Sequence, residues 1–411
     1  MGDFILLDIG GSYIKSCTLR RGTKELLNLR KFDMPPFISL LDEKREIHAH
    51  DFTHAIFNAV AIQKKFHSES TEILVSGQMG GFENSSGNLV SWQDQRMLSN
   101  TYKDKFDSLL KDFSKDQLFG LTGATIYPGL PLFALLLFPS VDRPNRFNSV
   151  ISYAIGRLTG IAQPPMHITD AAASGFYDVI GEKWIPEFSR LMEDEVSFPE
   201  VVKAVSKVGY SKDFDLNVFC GVGDQQASLL GAGLNKENLV VNIGTGGQVA
   251  VLKSKTERLP RTAFRPYFEN QSIATITHLP SGRALKAFVE YCCGGTSSNH
   301  YEYFFDLMLK NDSIGEIDIV NFNATLDQIK KSQIAYDYSG IAGSFFNSML
   351  KVYSDSIKQI SLNEDLVFAG GVGQKFSLLS QYLAIELNRN TYISHSTETT
   401  LEGLALLSAN V

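Results

Sequence analysis

Apolar residues recur in short runs that are separated by glycine-rich turns, a pattern that predicts alternating strands and helices. Residues 4–17 read FILLDIGGSYIKSC, and residues 239–252 read LVVNIGTGGQVAVL. Each stretch consists of two apolar runs around a short glycine turn, which is typical of a β-hairpin. The pattern therefore predicts one glycine hairpin at the start of the chain and a second one in its latter half.

The two predicted hairpins share a pattern at a constant offset. Asp8 aligns with Asn242, and Ile9 aligns with Ile243. Glycine follows in both cases. Matching hairpins in the two halves of a chain indicate a duplicated domain. We therefore expect an N-terminal domain at 1–217 and a C-terminal domain at 218–411. No linker-like composition separates them, which favours two domains packed along a cleft.

The rest of the hydrophobic pattern continues the alternation and favours a mixed α/β fold. Further strands are predicted at 26–32, 72–76, 366–369 and up to 393, with paired strands within 265–277. Helices are predicted at 52–66, 102–113, 201–208, 282–291, 344–360 and 374–388. Thr399 and Glu402 have the spacing of a capping box, which predicts the start of a terminal helix.

Composition narrows the class of protein. The chain has 411 residues, 44% of them hydrophobic, which is enough for large cores. A net charge of −7 argues against nucleic-acid binding, because nucleic-acid phosphates need many cations. The longest apolar run, 130–138, is too short to cross a membrane. The four cysteines lack metal-site or disulfide spacing, so a reduced, cytoplasmic protein is expected.

Candidate chemistry lies beside the second hairpin. Asp224 follows Gly221 and Gly223 and precedes an apolar helical run. Backbone N–H groups in glycine turns suit phosphate oxygens, and a carboxylate near such a cradle suggests phosphoryl transfer. Two structural alternatives stay open at this point. An aspartate before a helix is commonly an N-cap, and a glycine pair between strands is commonly only a turn.

Five segments in order resemble the FGGY carbohydrate kinases. They are DIGGSYIK at 8–15, SGQMGG at 76–81, WQDQR at 92–96, GVGDQQAS at 221–228 and FAGGVGQ at 368–374. The resemblance implies a duplicated actin-like, hexokinase-like ATPase fold, ATP and Mg²⁺ as cofactors, and a small sugar as substrate. VSWQDQR, ITDAAASGFYD and RPYFEN are most similar to the sedoheptulokinase branch, which implies sedoheptulose or a related heptulose as the acceptor.

The resemblance also implies roles for single residues. Asp224 would be the general base, Asp8 would hold Mg²⁺, and Gln225 would bind the sugar. The remaining sugar pocket would comprise Gln78, Met79, Trp92, Asp94 and Asp170. The phosphates would lie against Gly10, Gly11, Ser12, Thr245 and Gly246, and the adenosine against Gly370, Gly371 and Gln374. Lys15 is expected to be a solvated strand residue, and Arg96 a structural partner of Asp94.

Three departures from the family pattern put the substrate in question more than the reaction class. The family usually has Thr where Gly11 stands in the first phosphate loop and His where Gly80 stands beside the sugar. Its later GER-and-Pro segment is missing between Tyr291 and Ser344, so the second domain is expected to be shortened. These changes leave a pentulose kinase for xylulose or ribulose, or another polyol kinase, as alternatives. A sugar-binding homologue without turnover and an actin-like ATPase are less favoured, because Asp8 and Asp224 are retained beside a sugar-pocket motif. The oligomeric state is left open, with a homodimer as one candidate.

Overall fold

The structure is a computed structural model that describes residues 2–192, 196–244, 246–255, 257, 259, 262–310 and 312–411. Its strands are β1 (Phe4–Ile9), β2 (Tyr13–Leu19), β3 (Leu26–Asp33), β4 (Glu46–His48), β5 (Glu72–Gly77), β6 (Phe82–Glu83), β7 (Asn88–Val90), β8 (Met166–His167), β9 (Tyr177–Asp178), β10 (Lys183–Trp184), β11 (Val201–Val202), β12 (Lys207–Ser211), β13 (Leu216–Phe219), β14 (Val222–Gly223), β15 (Asn238–Ile243), β16 (Gly247–Lys253), β17 (Ala263–Pro266), β18 (Ser272–Leu279), β19 (Asp365–Ala369) and β20 (Thr391–Ile393).

Its helices are α1 (Ala49–Phe66), α2 (Lys103–Asp112), α3 (Lys115–Thr122), α4 (Pro131–Leu137), α5 (Val150–Thr159), α6 (Ile168–Ala171), α7 (Pro186–Ser189), α8 (Asp224–Gly231), α9 (Gly282–Cys293), α10 (Ser298–Leu309), α11 (Phe322–Lys331), α12 (Tyr338–Ile360), α13 (Ser377–Leu387) and α14 (Thr399–Leu407). Within the described ranges, none of these helices has the length and apolar character needed to cross a membrane.

Two large sheets repeat one topology. The first has the strand order β12-β13-β5-β1-β2-β3, and the second has the order β17-β18-β16-β15-β19-β20. In both sheets the glycine hairpin is central: β1 pairs antiparallel with β2 and parallel with β5, and β15 does the same with β16 and β19. The duplicated α/β fold predicted from the hairpin pattern is therefore confirmed.

Strand alternation decides which side chains face the centre of the molecule. Successive residues of a strand point to opposite faces of the sheet. Ile5 and Leu7 of β1 pack with α1 and α5 on the outer face of the first sheet. Phe4 and Leu6 pack on the other face, against α8 and α14. Asp8 shares the parity of Phe4 and Leu6, so the same period places its carboxyl group on the inner face.

Helices α8 and α14 lie between the two sheets and pack at very close range. Their core also includes Val240 and Val367 from the second sheet. The approach depends on two glycines. A Cβ atom added to Gly231 would overlap the carbonyl oxygen of Thr399, and one added to Gly403 would overlap that of Ala227. Side chains are therefore excluded from this helix crossing, and the crossing sets where α8 begins.

Two secondary-structure predictions are wrong. Residues 201–208 were expected to form a helix, but they contain β11 and the start of β12. Their β-branched valines favour strands, and Val201 pairs with Met166 of β8. The predicted capping box is also absent, because α14 starts at Thr399 with Glu398 as its N-cap residue. The Thr399 hydroxyl group instead lies 2.8 Å from the Ser228 hydroxyl group of α8.

The position of the domain boundary remains a prediction. Residue 217 falls within β13, which pairs with β5 in the first sheet. The last strand of that sheet, β14, ends at Gly223, and the second sheet begins with β15 at Asn238. A division within 224–237 would leave both sheets whole.

The helix crossing gives a testable prediction. We expect Gly403→Ala to lower the free energy of unfolding by about 1–3 kcal/mol, because the added methyl group meets a backbone carbonyl that cannot turn away. The melting temperature checks this. Lys105→Ala on the exposed face of α2 is the control for introducing alanine into a helix. It should be neutral or stabilising by up to about 1 kcal/mol. Equal melting temperatures for the two variants would contradict the interpretation.

Candidate active site

Two carboxyl groups lie near each other on the inner side of the first sheet. Asp8 stands near the end of β1, and Asp224 is the first residue of α8, with Gly223 as its N-cap residue. In the part of the chain that the structure describes, no side chain forms an N-cap hydrogen bond at this helix, so the N-cap interpretation of Asp224 does not hold. Burial and the nearby Asp224 raise the pKa of Asp8 to about 7. The hydroxyl group of Ser76 donates a hydrogen bond of 3.2 Å to Asp8 and opposes that shift.

The Asp224 carboxyl group is kept closer to its ionised form. Burial raises the pKa of Asp224 to about 6, and the charge of Asp170 adds to this rise. The backbone N–H of Gln225 and the Arg265 guanidinium group lower it. The backbone N–H of Gln225 donates to Oδ1 of Asp224 at 2.8 Å. A carboxyl group with a pKa near 6 is mostly ionised at neutral pH and can still accept a proton in a reaction.

Side chains of the first domain converge beside the turn of the first hairpin. A Cβ atom added to Gly11 would lie 3.3 Å from Nε2 of Gln93, 3.5 Å from Nε1 of Trp92 and 3.7 Å from Oε1 of Gln78. The glycine therefore keeps open a space that polar atoms surround. Oε1 of Gln78 is buried and has no hydrogen-bond partner among the described residues. Such an acceptor suits a ligand hydroxyl group.

Asp170 supplies a second unpartnered acceptor. The Ser149 hydroxyl group donates to Oδ2 of Asp170 at 2.5 Å, whereas Oδ1 is buried without a hydrogen-bond partner in the described part of the chain. Burial raises the pKa of Asp170 to about 7. The adjacent Thr169 accepts a hydrogen bond from the Gly223 N–H at 3.0 Å, which places Asp170 beside the start of α8.

Asp94 and Met79, which were also predicted to line the sugar pocket, contact other groups of the protein. Both carboxylate oxygens of Asp94 accept hydrogen bonds from Arg96, and one also accepts from the Arg45 backbone N–H at 2.8 Å. Arg96 is thus the structural partner that the sequence suggested, and a sugar contact by Asp94 remains a prediction. The sulfur of Met79 packs against Gly223, where a Cβ atom would overlap it.

Gln225 links the start of α8 to the second sheet. Its amide nitrogen donates to Oε1 of Gln248 at 2.6 Å, and its amide oxygen accepts from Nη1 of Arg265 at 2.6 Å. Gln248 follows the turn of the second hairpin on β16. The side chain of Gln225 therefore connects the candidate base to the second glycine hairpin, and its predicted contact with sugar remains untested.

The glycine turns leave space on the nucleotide side. A Cβ atom added to Gly246 or Gly371 would meet no heavy atom within 4 Å. Gly370 has a φ of 80°, and a side chain there would meet Oδ1 of Asn242 at 2.5 Å. Gln374 donates to the carbonyl oxygens of Ser394 and Ser396, so its amide nitrogen orders the loop before α14. Thr245 lies outside the described residues.

The turn of the first hairpin is partly closed by its own backbone. The N–H of Gly10 donates to the Tyr13 carbonyl oxygen at 2.9 Å, and Ser12 is exposed at the tip.

The expectation of a solvated Lys15 is wrong. Its ammonium group forms an ion pair of 2.5 Å with Glu398, which precedes α14, and both side chains are more than two-thirds buried. The Lys15 charge lowers the pKa of Asp8, and Glu398 raises it.

Three residues at the site were missed by the sequence interpretation. Gln93 lies inside the WQDQR segment and could have been found there. Tyr127 lies in the loop between α3 and α4, and its hydroxyl group would be 2.7 Å from a Cβ atom at Gly80. Arg265 comes from β17. Arg265 opens the RPYFEN segment, to which no site role was assigned, whereas Tyr127 lies in none of the segments singled out in the sequence.

Comparisons with known proteins agree with this architecture. No protein-family model matches the sequence, and no curated protein matches it. Among solved structures, the fold is similar to gluconate kinase from Lactobacillus acidophilus, with a TM-score of 0.81, 14% identity, and coverage of 99% of this chain and 89% of the other. It is equally similar to ligand-bound xylulose kinase from the same organism, with a TM-score of 0.81, 14% identity, and 100% and 89% coverage.

Glycerol kinase from Plasmodium falciparum with ADP gives a TM-score of 0.80 at 13% identity, covering 99% of this chain and 89% of the other. These three structures are kinases of gluconate, xylulose and glycerol. The chain therefore has the actin-like, hexokinase-like ATPase fold.

The buried carboxyl group of Asp170 gives a prediction for stability. Its folded pKa of about 7 exceeds the ordinary value of 3.8, so the folded chain holds a proton that the unfolded chain has lost between these values. Stability from this group is complete below pH 4 and is lost as the pH rises through 7. Asp170→Asn keeps the shape of the side chain but cannot ionise, so the variant should not lose this stability as the pH rises. We expect the variant to gain on the order of 2–4 kcal/mol over wild type between pH 5 and pH 8.

Melting temperatures of the ligand-free proteins at both pH values check this expectation. Parallel pH dependences of the variant and wild type would contradict a raised pKa at Asp170. Asp178→Asn is the control, because this aspartate accepts backbone hydrogen bonds on an exposed turn.

Proposed function

We propose that the protein is an ATP-dependent kinase that phosphorylates a hydroxyl group of a small polyhydroxylated acceptor. The observation that carries the proposal is the position of Asp224. It begins a helix between two glycine hairpins, near Asp8 and next to the acceptor atoms of Gln78 and Asp170 that lack partners among the described residues. Transfer of a phosphoryl group from ATP to a hydroxyl group requires a cradle for the phosphates, a base and a polar pocket for the acceptor.

In the proposed reaction Asp224 acts as the general base. Its carboxylate accepts the proton of the acceptor hydroxyl group while that oxygen bonds to the γ-phosphorus atom of ATP. The bond between this phosphorus atom and the β,γ-bridging oxygen breaks, and ADP leaves. Because the pKa of Asp224 is about 6, the base is ionised at pH 7, and kcat/KM should fall as the pH drops through 6.

The hairpin turns support the assignment of ATP. Gly10, Gly11 and Ser12 would lie on one side of the phosphates and Gly246 on the other, with Thr245 expected at the same turn. Gly370 and Gly371 leave room for the adenosine, because the first packs against β15 and the second faces open space. Gln374 would lie beside the base, held by its contacts to Ser394 and Ser396.

Asp8 fits a hydrated Mg²⁺ ion. Its carboxyl group is buried on the inner face and has a pKa raised partly by Asp224, a repulsion that a cation would relieve. Within the described residues no group of three or more metal-binding side chains is present. Mg²⁺ commonly binds through one or two carboxylates, water and phosphate oxygens, so Asp8 alone is sufficient from the protein side. When bound, the ion would neutralise phosphate charge.

A ketose is the favoured acceptor. Oε1 of Gln78 and Oδ1 of Asp170 both need donors, and neighbouring hydroxyl groups of a sugar supply them. The indole ring of Trp92 offers an apolar face for C–H groups. The sequence resemblance favours sedoheptulose or a related heptulose. A pentulose such as xylulose or ribulose is the alternative, and the fold similarity to a xylulose kinase supports it equally.

A panel of acceptors in a coupled ADP-release assay tests the function. We expect ADP release that depends on sedoheptulose, D-xylulose or D-ribulose and exceeds the rate without sugar by at least about 100-fold, the scale of general-base catalysis. Glycerol, gluconate and glucose complete the panel. Equal rates with and without every acceptor would overturn the proposal in favour of an actin-like ATPase or a homologue without turnover.

Replacing the base gives a direct prediction. Asp224→Asn keeps the shape of the side chain but cannot accept a proton, so kcat should fall by roughly 100- to 10,000-fold. The melting temperature should not fall, because a carboxylate in a desolvated site is removed and no helix cap is lost. Turnover within threefold of wild type would refute the assignment of the base.

The metal assignment gives a second prediction. In Asp8→Asn the carboxylate charge is lost, so the Mg²⁺ concentration for half-maximal rate should rise at least about tenfold, and turnover should fall. A Mg²⁺ titration at fixed ATP measures both. Asp33→Asn, at the exposed end of β3, is the control for general charge effects. An unchanged titration for Asp8→Asn would remove Asp8 from the metal site.

A further inference from the structure

Arg265 is a cation of the second domain that reaches the acceptor side of the cleft. It lies on β17, an edge strand of the second sheet. The preceding Phe264 packs in the core of the first domain, and its backbone N–H donates to the Gly123 carbonyl oxygen at 2.8 Å. Since successive strand residues point in opposite directions, anchoring Phe264 in that core directs Arg265 to the other face.

The hydrogen bonds of Arg265 leave most of its guanidinium group unused. Nη1 donates to Oε1 of Gln225 at 2.6 Å. A guanidinium group has five N–H donors, and among the described residues the other four have no hydrogen-bond partner. The side chain is half-buried rather than exposed. A cation in such a place, with donors to spare, is suited to binding an oxygen atom of a ligand.

Two neighbours of Arg265 belong to the acceptor side of the cleft. Its charge acts on Asp224 and on Tyr127, and it also acts on His278 near the end of β18. The Tyr127 hydroxyl group covers Gly80, next to Trp92. The guanidinium group therefore lies between the candidate base, Asp224, and Tyr127 on the acceptor side.

We propose that Arg265 is an acceptor-binding residue. Held by Gln225, its guanidinium group donates hydrogen bonds to an oxygen atom of the acceptor next to the hydroxyl group that Asp224 deprotonates. This inference rests on the proposed kinase function and narrows its substrate class. The acceptor carries an oxygen beside the reacting hydroxyl group, as ketoses and polyols do and simple alcohols do not.

The test compares Arg265→Met and Arg265→Lys with wild type, using the best acceptor among sedoheptulose, D-xylulose and D-ribulose. Loss of a hydrogen bond from a charged donor should raise the acceptor KM of Arg265→Met roughly 10- to 100-fold. KM for ATP should change less than twofold. The acceptor KM of Arg265→Lys should lie between those of Arg265→Met and wild type, because lysine keeps the positive charge but lacks the planar guanidinium group with its several donors. Calorimetric binding of the same sugar without ATP should weaken in parallel.

Arg389→Met is the matched control. Arg389 is also a half-buried arginine of the second domain, but it donates to Ser361 and to nearby backbone carbonyl oxygens. These partners precede β19, at the opposite end of that strand from Gly370. We expect its replacement to lower the melting temperature without changing the acceptor KM. If Arg265→Met is poorly folded, Arg265→Lys and the binding measurement still decide the question.

A double-mutant cycle separates contact with the acceptor from support of Gln225. If Arg265 touches the acceptor, Arg265→Met should weaken sugar binding further in a Gln225→Leu background. No further loss would show that Arg265 acts only through Gln225 and would overturn the inference, as would an acceptor KM within threefold of wild type in Arg265→Met. A wild-type protein that neither binds nor phosphorylates any acceptor would instead contradict the proposed function, and this inference with it.

Discussion

The close crossing of α8 and α14 between the two sheets is the constraint on which the candidate site depends. Gly231 and Gly403 let the helix backbones approach so closely that no side chain fits between them. The crossing fixes the position of α8, whose first residue is Asp224. It also fixes α14, whose preceding residue, Glu398, binds Lys15 of the first hairpin. One helix pair thus places a carboxylate and an ion pair at the inner edge of the first sheet.

The site concentrates groups that are unfavourable in the ligand-free protein. Asp8, Asp170 and Asp224 are carboxyl groups with raised pKa values, and burial is the largest cause in each. Oδ1 of Asp170 and Oε1 of Gln78 lack partners in the described part of the chain. Buried, unpaired polar groups destabilise a fold, so their clustering indicates ligands that supply donors and positive charge. A sugar and metal-bound ATP would supply both.

The fold could be predicted because its signals are local. Each glycine hairpin lies within a short stretch, and its recurrence at a constant offset implied the duplicated architecture. Local patterns also drew attention to Asp8 and Asp224: Asp8 precedes the turn of the first hairpin, and Asp224 follows two glycines at the start of a helical run. Their roles remain proposals. Residues 201–208 were mispredicted because four valines fit a helical spacing, although β branching favours the strands that form.

Parts of the site could not be predicted because they depend on contacts between distant residues. Lys15 and Glu398 are 383 positions apart, and no local pattern pairs them. Thr399 has the spacing of a cap, but its hydroxyl group contacts Ser228 across the helix crossing. Arg265 and Tyr127 reach the site from separate domains, and only the folded chain brings them together.

Phosphorus NMR of a reaction with equimolar ATP and ketose tests the central claim most directly. The account predicts that the γ-phosphate signal of ATP is replaced by one phosphomonoester signal in equal amount, together with ADP. This conversion should require the sugar and should be abolished in Asp224→Asn. Formation of inorganic phosphate at the same rate with and without sugar would contradict transfer to a sugar hydroxyl group.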